Sequence, residues 1–186
     1  MRIRGINEKH WTEYYATHER QGPSEFAKYV SGRLRGNFLF DFGCGDGRDT
    51  LFLDAFVPTM GIDPCAPPGM WYFRQASAED FMVVQPSTPD TITYARWFLH
   101  AVHEHTEDRL LEWTKGQLLV EARVEGDDVN NDHWRRPLNA KRFLEKLLRL
   151  RYDIRYFEIS RNFSPPGSPL LLRVDALRKG GESIQG

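Results

Sequence analysis

The stretch that most constrains the fold of this 186-residue chain runs from residue 37 to residue 64. It begins with Phe38–Phe42, an apolar run broken only by Asp41, which predicts a buried β-strand. Three glycines follow at alternate positions, then a helical stretch, then a second apolar run that ends at Asp63. This order of strand, glycine-rich turn, helix, strand and acid is typical of the first half of a nucleotide-binding α/β fold.

The spacing of the glycines discriminates between nucleotide ligands. A dinucleotide-binding loop would need a glycine at position 48, but that residue is Arg48, and the third glycine comes one residue early as Gly47. This spacing disfavours a nicotinamide-dependent oxidoreductase. Glycine adopts positive φ at low cost and has no Cβ, so the backbone of such a loop can lie directly against a ligand.

With Asp41 placed two residues before Gly43, the string reads Asp-x-Gly-x-Gly-x-Gly. This string resembles the S-adenosylmethionine (SAM) loop of class I methyltransferases. The resemblance implies an α/β, three-layer Rossmann-like methyltransferase fold, in which a seven-stranded, mostly parallel sheet has helices on both faces. It also implies one domain over residues 1–186, with N-terminal lid helices in residues 1–36, a core in residues 37–178 and a frayed tail in residues 179–186.

The same resemblance implies S-adenosyl-L-methionine as cofactor and S-adenosyl-L-homocysteine as product. Asp63 stands where the family has its ribose-binding acid, and a carboxylate there can accept hydrogen bonds from both ribose hydroxyls. Asp41 stands where the family has an acid near the ammonium of the methionine moiety. The predicted cofactor-binding residues are Asp41, Gly43, Cys44, Gly45, Gly47, Asp63, Pro64, Ala78, Glu79 and Arg96.

The adenine contact departs from the family pattern. Many relatives have an acid just before the alanine at position 78, but this chain has Ser77. The backbone of Ala78, or the carboxylate of Glu79 or of Asp80, is therefore expected to bind the adenine instead. Pro64 directly follows the ribose acid and is expected to lie near the same ring.

Two helices are predicted before the first strand. Residues 7–19 carry a stripe that includes Trp11, Tyr14 and Tyr15, and Ser24 is a suitable cap for a second helix that carries Phe26. In the family such helices cover the open side of the cofactor pocket. We expect Trp11 to pack on the sheet, and Tyr14, Tyr15 and Phe26 to line a substrate pocket.

The fourth strand, residues 91–94, is followed by a group of candidate reaction-side residues. Arg96, Trp97, His100 and His103 come after its carboxyl end, where parallel sheets of this type bind ligands. The Arg-Trp-Phe-Leu-His string resembles that of a subgroup of bacterial small-molecule methyltransferases. We predict Trp97 as a substrate contact and His100 and His103 as general bases, with a hydrogen-bonded packing role for His100 as the alternative.

A long polar loop follows the fifth strand, residues 117–122, and starts at the same edge of the sheet. Its basic side chains, Arg123, Arg135 and Arg136, can form forked hydrogen bonds with an anionic or hydroxyl-rich substrate. His133 is a third candidate base. The alternative is a solvated surface loop.

Composition narrows the class of function. A formal charge of −1 without a basic block argues against nucleic acid as the partner, and no apolar run is long enough for a membrane span. Two cysteines and no signal-peptide core indicate the cytoplasm. No metal site is evident among the six histidines, and a monomer and a homodimer are both compatible with the sequence.

The predicted function is transfer of a methyl group from SAM to an oxygen of a polar or anionic small molecule, such as a sugar or a phosphate- or carboxylate-bearing acceptor. The alternatives are a nucleic-acid or protein methyltransferase, or a SAM-binding protein without turnover.

Overall fold

The computed structural model describes residues 4–66, 72–125, 136–161 and 169–180. All strands of the described residues belong to one seven-stranded sheet with the order β3-β2-β1-β4-β5-β7-β6. The strands are β1 (Phe38–Phe42), β2 (Thr59–Ile62), β3 (Phe73–Arg74), β4 (Thr91–Arg96), β5 (Gln117–Arg123), β6 (Tyr152–Ser160) and β7 (Leu171–Arg178).

Six α-helices accompany the strands in the described part of the chain. They are α1 (Arg4–Thr17), α2 (Glu25–Ser31), α3 (Arg48–Leu53), α4 (Ala78–Val84), α5 (Glu104–Trp113) and α6 (Ala140–Arg149), and a single 3₁₀ turn, Leu99–Ala101, follows β4. Side-chain oxygens cap three of them: Ser24 accepts from the third backbone N–H of α2, Ser77 from that of α4 and Asn139 from that of α6.

Strand β1 lies in the middle of the sheet between β2 and β4 and is parallel to both. The first five strands of the order are parallel, and β7 runs antiparallel between β5 and β6. The predicted mostly parallel sheet is therefore confirmed. The chain moves outward in opposite directions from β1 and β4, which opens a crevice beyond their carboxyl ends.

Alternation along β1 divides the core between the two faces of the sheet. Leu39 packs into a cluster with residues of α2 and α3, whereas Phe40 and Phe42 pack into a cluster with residues of α4, α5 and α6. This arrangement is the predicted three-layer architecture. Phe26 of α2 belongs to the first cluster, is only 2% exposed and stacks on Tyr94. The expectation that Phe26 lines a substrate pocket was wrong, because its ring fills the core.

Two further features of the described elements concern β3 and the start of α5. β3 is the two-residue strand Phe73–Arg74, with residues 67–71 outside the described part. His103 is the N-cap residue of α5, and Thr106 lies inside this helix, where its hydroxyl donates to Glu79. No helix among the described residues is long and apolar enough to cross a membrane.

Candidate functional site

A cavity of about 850 Å³ opens beyond the carboxyl ends of β1, β2 and β4. Its volume lies in the upper part of the range of roughly 300–1,000 Å³ that is usual for ligand pockets. The described residues that line it are His10, Trp11, Tyr14, Tyr15, His18, Glu19, Arg20, Gln21, Asp41, Gly43, Cys44, Asp46, Arg48, Asp49, Asp63, Tyr94, Arg96, Trp97 and Phe98.

The glycine loop at the floor of this cavity needs glycine at all three positions. Gly43, Gly45 and Gly47 have φ of 73°, 57° and 78°, in the region that favours glycine. Aromatic rings also approach the loop closely. A Cβ on Gly45 would lie 2.3 Å from the Tyr15 hydroxyl oxygen, and one on Gly47 would lie 1.9 Å from Cζ of Phe73. Both the conformation and the packing therefore exclude a side chain here.

Asp41 is a buried acid beside the loop. Its side chain is 2% exposed, and the Thr50 hydroxyl donates to its Oδ2 at 2.6 Å. Burial raises the pKa of the Asp41 carboxyl to about 8, and the hydrogen bond from Thr50 offsets only part of this rise. The charge of Asp49 raises the pKa further, whereas Arg96 lowers it. A cationic group bound in the cavity would favour the ionised form.

Asp63 follows β2 and is oriented toward the glycine loop by two backbone donors. The N–H of Gly45 donates to its Oδ2 at 3.1 Å, and the N–H of Cys65 donates to its Oδ1 at 2.7 Å. Tyr15 lies beside it: burial, and then the charge of Asp63, raises the pKa of Tyr15 above its usual range, so its hydroxyl stays protonated. The acid is thus held at the end of a central strand, on the wall of the cavity.

Asp49, in the first turn of α3, joins three elements of the site. Its carboxylate accepts from the backbone N–H and the hydroxyl of Ser24, both at 2.7 Å, and from the Tyr94 hydroxyl at 2.8 Å. The Nε of Arg96 lies 3.8 Å away. Sequence analysis missed Asp49 and Tyr94. The available signal was an acid in the first helical turn after a glycine loop, which is also compatible with simple helix stabilisation.

The carboxylate of Glu121 on β5 binds side chains at the carboxyl end of β4. It accepts from Arg96 Nε at 3.1 Å, Trp97 Nε1 at 3.2 Å and Arg173 Nε at 2.7 Å. Trp97 has a φ of 56°, which is strained for a bulky residue. The guanidinium carbons of Arg96 and Arg123 lie 4.9 and 5.1 Å from its ring centroid. These contacts fix the indole at the edge of the cavity.

Helix α1 forms the wall opposite the glycine loop. Tyr14 and Tyr15 line the cavity, in agreement with their predicted location, and Trp11 lines it as well. The expectation that Trp11 only packs on the sheet was wrong. It stacks on Tyr15, with ring centroids 5.8 Å apart, and shares the cavity-facing stripe of the helix. The hydroxyl of Thr12 donates to Cys65 Sγ at 3.4 Å, which ties α1 to the segment after Asp63.

Known structures share this architecture at low sequence identity. No protein-family model and no curated protein matches the sequence. A geranyl diphosphate C-methyltransferase from Streptomyces coelicolor, solved with Mg²⁺, geranyl diphosphate and S-adenosyl-L-homocysteine, superposes with a TM-score of 0.63 at 10% identity, over 92% of this chain and 98% of that chain. The 1,6-didemethyltoxoflavin-N1-methyltransferase from Burkholderia thailandensis, solved with 1,6-didemethyltoxoflavin and S-adenosylhomocysteine, gives a TM-score of 0.61 at 16% identity, over 84% and 79%.

The chain has the class I methyltransferase fold. A magnesium protoporphyrin IX methyltransferase from Synechocystis, solved with bound SAM, has it too, with a TM-score of 0.57 at 13% identity over 95% of this chain and 82% of that chain. Identities at this level demonstrate the fold alone, so the roles of single residues must be argued from this chain.

Within this methyltransferase fold, the predicted histidine bases do not reach the described cavity wall. His100 is 2% exposed, and its Nδ1 accepts from the backbone N–H of Arg123 at 3.3 Å. It therefore has the packing role that was its alternative. His103 is the exposed N-cap residue of α5 and stacks on His105. His133 lies outside the described residues.

The predicted substrate arginines are also placed elsewhere. Arg136 pairs with Glu107, and its guanidinium also contacts the carbonyl oxygens of Leu99 and Val102 at 3.5 Å. Arg123 is 9% exposed and lies over the Trp97 ring, outside the described cavity wall. Arg135 lies outside the described residues. Predicted roles of Arg123 and Arg136 as direct substrate ligands are corrected, because both are engaged within the protein.

The predicted adenine contacts are likewise not in the described cavity wall. Ala78, the first residue of α4, is buried in the core, and Glu79 accepts from the Thr106 hydroxyl and lies 3.6 Å from His105 Nε2. Pro64 is exposed in the turn after β2. The serine that departs from the family pattern is used locally, because Ser77 caps α4. Among the described residues, no group of three or more metal-ligating side chains is clustered.

Proposed function

We propose that the protein is a SAM-dependent methyltransferase that acts on a small molecule. The observation that carries the proposal is the convergence of a positive-φ glycine loop, Asp41 and Asp63 on one cavity at the strand-order switch of a methyltransferase fold. Neighbours with this fold were solved with SAM or S-adenosylhomocysteine.

In the proposed complex, the loop backbone lies along the cofactor and Asp63 accepts its ribose hydroxyls. Gly45 and Cys65 pre-orient Asp63 through backbone N–H groups, so little rotamer freedom is lost when the ligand binds. Asp41 faces the amino-acid end. The cofactor brings an ammonium and a sulfonium, and both charges favour ionisation of this buried carboxyl.

Catalysis of the proposed methyl transfer depends mainly on the alignment of the reacting groups. The sulfonium is already a good leaving group, and holding nucleophile, methyl and sulfur in line can supply roughly 7–11 kcal/mol of the barrier reduction. Trp97, held by Glu121 at the cavity edge, and Arg96 beside it are the proposed guides for the acceptor. Cys44 and Cys65 are not joined in a disulfide, which fits a reaction in the reducing cytoplasm.

An oxygen acceptor also needs a base, and we propose His18 in place of the three predicted histidines. Its Nδ1 lies 2.8 Å from the carbonyl oxygen of Tyr14, which can only accept, so Nδ1 carries the hydrogen and Nε2 carries the lone pair. Nε2 takes the hydroxyl proton while an oxygen lone pair forms the bond to the methyl carbon. The carbon–sulfur bond breaks, and its electron pair stays on sulfur as the neutral thioether.

Calorimetric titration of the full chain with SAM, S-adenosylhomocysteine and NAD tests the cofactor assignment. We expect saturable binding of the two adenosyl ligands and none of NAD. In Asp63→Ala, two charge-assisted hydrogen bonds are lost, each of about 1.5–3 kcal/mol, so Kd rises by at least about 100-fold.

Asp90→Ala is the matched control, because Asp90 is an exposed acid outside the described cavity wall. We expect its affinity for both ligands to be unchanged. Absence of binding to the folded protein, or equal affinity in Asp63→Ala and Asp90→Ala, would refute the proposed function.

A further inference from the structure

We propose that the methyl acceptor is a planar aromatic compound without negative charge, whose ring stacks on the aromatic wall of α1. This inference rests on the proposed function, because it specifies the acceptor class for the same cavity. It replaces the polar or anionic acceptor that the sequence predicted.

The wall consists of rings already arranged in parallel pairs. Tyr14 and His18 stack at a centroid distance of 3.9 Å and an interplanar angle of 17°, and Trp11 and Tyr15 stack at 5.8 Å and 20°. Tyr14 remains 39% exposed although it lines the cavity. The two pairs meet edge to face, because the planes of Trp11 and Tyr14 are inclined by 80° and those of Tyr14 and Tyr15 by 83°. A further ring can extend either pair by offset stacking, which is worth about 0.5–1.5 kcal/mol beyond area burial.

The charge of the cavity disfavours an anion. Among the described lining residues, the acids are Glu19, Asp41, Asp46, Asp49 and Asp63, and the guanidinium groups are those of Arg20, Arg48 and Arg96. Arg96 is paired with Glu121 and lies near Asp49, and Arg48 Nη1 donates to Gln21 at 3.0 Å. Even with Asp41 protonated, the other four acids outnumber the three guanidinium groups, one of which Glu121 already neutralises, so a negatively charged acceptor would meet net negative charge.

The same surplus accommodates a neutral or cationic ring. Carboxylates around the cavity favour positive charge on the acceptor, and the faces of Trp11 and Tyr14 attract a cation through their quadrupoles. A sugar, by contrast, would rely on forked donors. The two described arginines predicted for that purpose, Arg123 and Arg136, lie outside the described wall. Shape and charge therefore point to the same acceptor class.

Three probes that differ in one property each can test the inference. They are 2-naphthol, its saturated analogue decahydro-2-naphthol, and its anionic analogue 6-hydroxynaphthalene-2-sulfonate. Each is titrated calorimetrically into the full chain saturated with S-adenosylhomocysteine, and again without it. We expect 2-naphthol to bind at least tenfold tighter than either analogue.

Substitutions of Tyr14 test whether 2-naphthol binds to the aromatic wall of α1. Tyr14→Leu keeps the apolar volume but removes the ring, so we expect the affinity for 2-naphthol to fall by about tenfold. Tyr14→Phe keeps the ring, so we expect it to retain the affinity. Phe157→Leu is the control, because Phe157 is a comparably exposed aromatic residue on β6. S-adenosylhomocysteine affinity is expected to stay constant in all three.

The outcomes separate this inference from the proposed function. Equal or tighter binding of the sulfonate or the saturated alcohol, no binding of 2-naphthol, or an unaffected Tyr14→Leu variant overturns the acceptor class even when S-adenosylhomocysteine binds. Failure of S-adenosylhomocysteine to bind overturns the proposed function, and the titrations without it still report on the aromatic wall.

Discussion

The buried carboxyl of Asp41 links stability and cofactor binding to pH. Its pKa is raised from 3.8 to about 8 in the folded chain. Between these two values the folded state holds a proton that the unfolded state has lost, so the free energy of unfolding falls as pH rises through this window. A rise of roughly four pH units, at about 1.4 kcal/mol each, corresponds to about 5–6 kcal/mol of lost stability above pH 8.

Asp41→Asn removes this penalty. The amide has nearly the same shape, its oxygen can still accept from the Thr50 hydroxyl, and it carries no charge at any pH. We expect the variant to be more stable than the parent at pH 8–9, by up to the same 5–6 kcal/mol, and to differ far less near pH 4. Denaturant unfolding at fixed temperature across pH 4–9 measures the difference.

Cofactor affinity has the opposite dependence, if the carboxylate is ionised in the complex with cationic SAM. With a pKa of about 8, roughly 1% of the free protein has an ionised Asp41 at pH 6 and half at pH 8. The Kd for SAM therefore falls about 50-fold between these pH values. Asp41→Asn binds more weakly at pH 8 and loses most of this dependence.

Calorimetric titration with SAM at pH 6, 7 and 8 is the assay. His10 and His18 also line the cavity, so the comparison with Asp41→Asn isolates the contribution of the carboxyl. Asp46→Asn, which removes another lining acid, is the control and is expected to retain the dependence. A parent Kd that is constant from pH 6 to pH 8, or an unchanged slope in Asp41→Asn, would refute the reasoning.

Two further substitutions test the loop and its support. Gly47→Ala combines a φ of 78° with a Cβ 1.9 Å from the Phe73 ring, so we expect the free energy of unfolding, measured with denaturant, to fall by at least about 2 kcal/mol. For the control Gly22→Ala, where nothing lies within 4 Å of the added Cβ, we expect a loss of no more than about 0.5 kcal/mol. A tolerated Gly47→Ala would contradict the packing described here. Glu121→Gln weakens the hydrogen bonds that this side chain accepts from Arg96, Trp97 and Arg173, so it should lower the free energy of unfolding by about 3–5 kcal/mol and alter the fluorescence of the Trp97 indole. Glu112→Gln, at an exposed position, should change neither quantity.

The glycine-loop side of the cavity was predictable because its signals are local. Glycines at 43, 45 and 47 and the acids that flank the loop at 41 and 63 lie within one strand–turn–helix–strand unit, where spacing alone fixes which groups share an edge. The wall that faces this unit was less predictable. Trp11 and Phe26 are both aromatic residues on predicted helix faces, and only the packing of α1 and α2 decided that Trp11 lines the cavity while Phe26 fills the core.

The predicted histidine bases and substrate arginines also separate what the sequence indicates from what the tertiary structure decides. Sequence order put His100 after β4 and Arg136 after β5, but it carries no information about their partners. Glu107 pairs with Arg136, and the backbone of Arg123 donates to His100. A group that satisfies its hydrogen bonds within the protein does not need to face the ligand. His18 was not among the predicted bases, because its tautomer follows from a contact with one helical carbonyl that only the structure shows.

The sequence by itself determined the class of fold and the chemistry of the loop, because hydrophobic periodicity and glycine spacing act over a few residues. Tertiary structure decided the charge and shape of the cavity. Carboxylates from β1, α3 and the end of β2 meet the aromatic face of α1 only after the chain folds. Arg96, which would have balanced one of them, is neutralised by Glu121, an acid distant in sequence. Which charges remain available to a ligand depends on these pairings, and distance in space sets them.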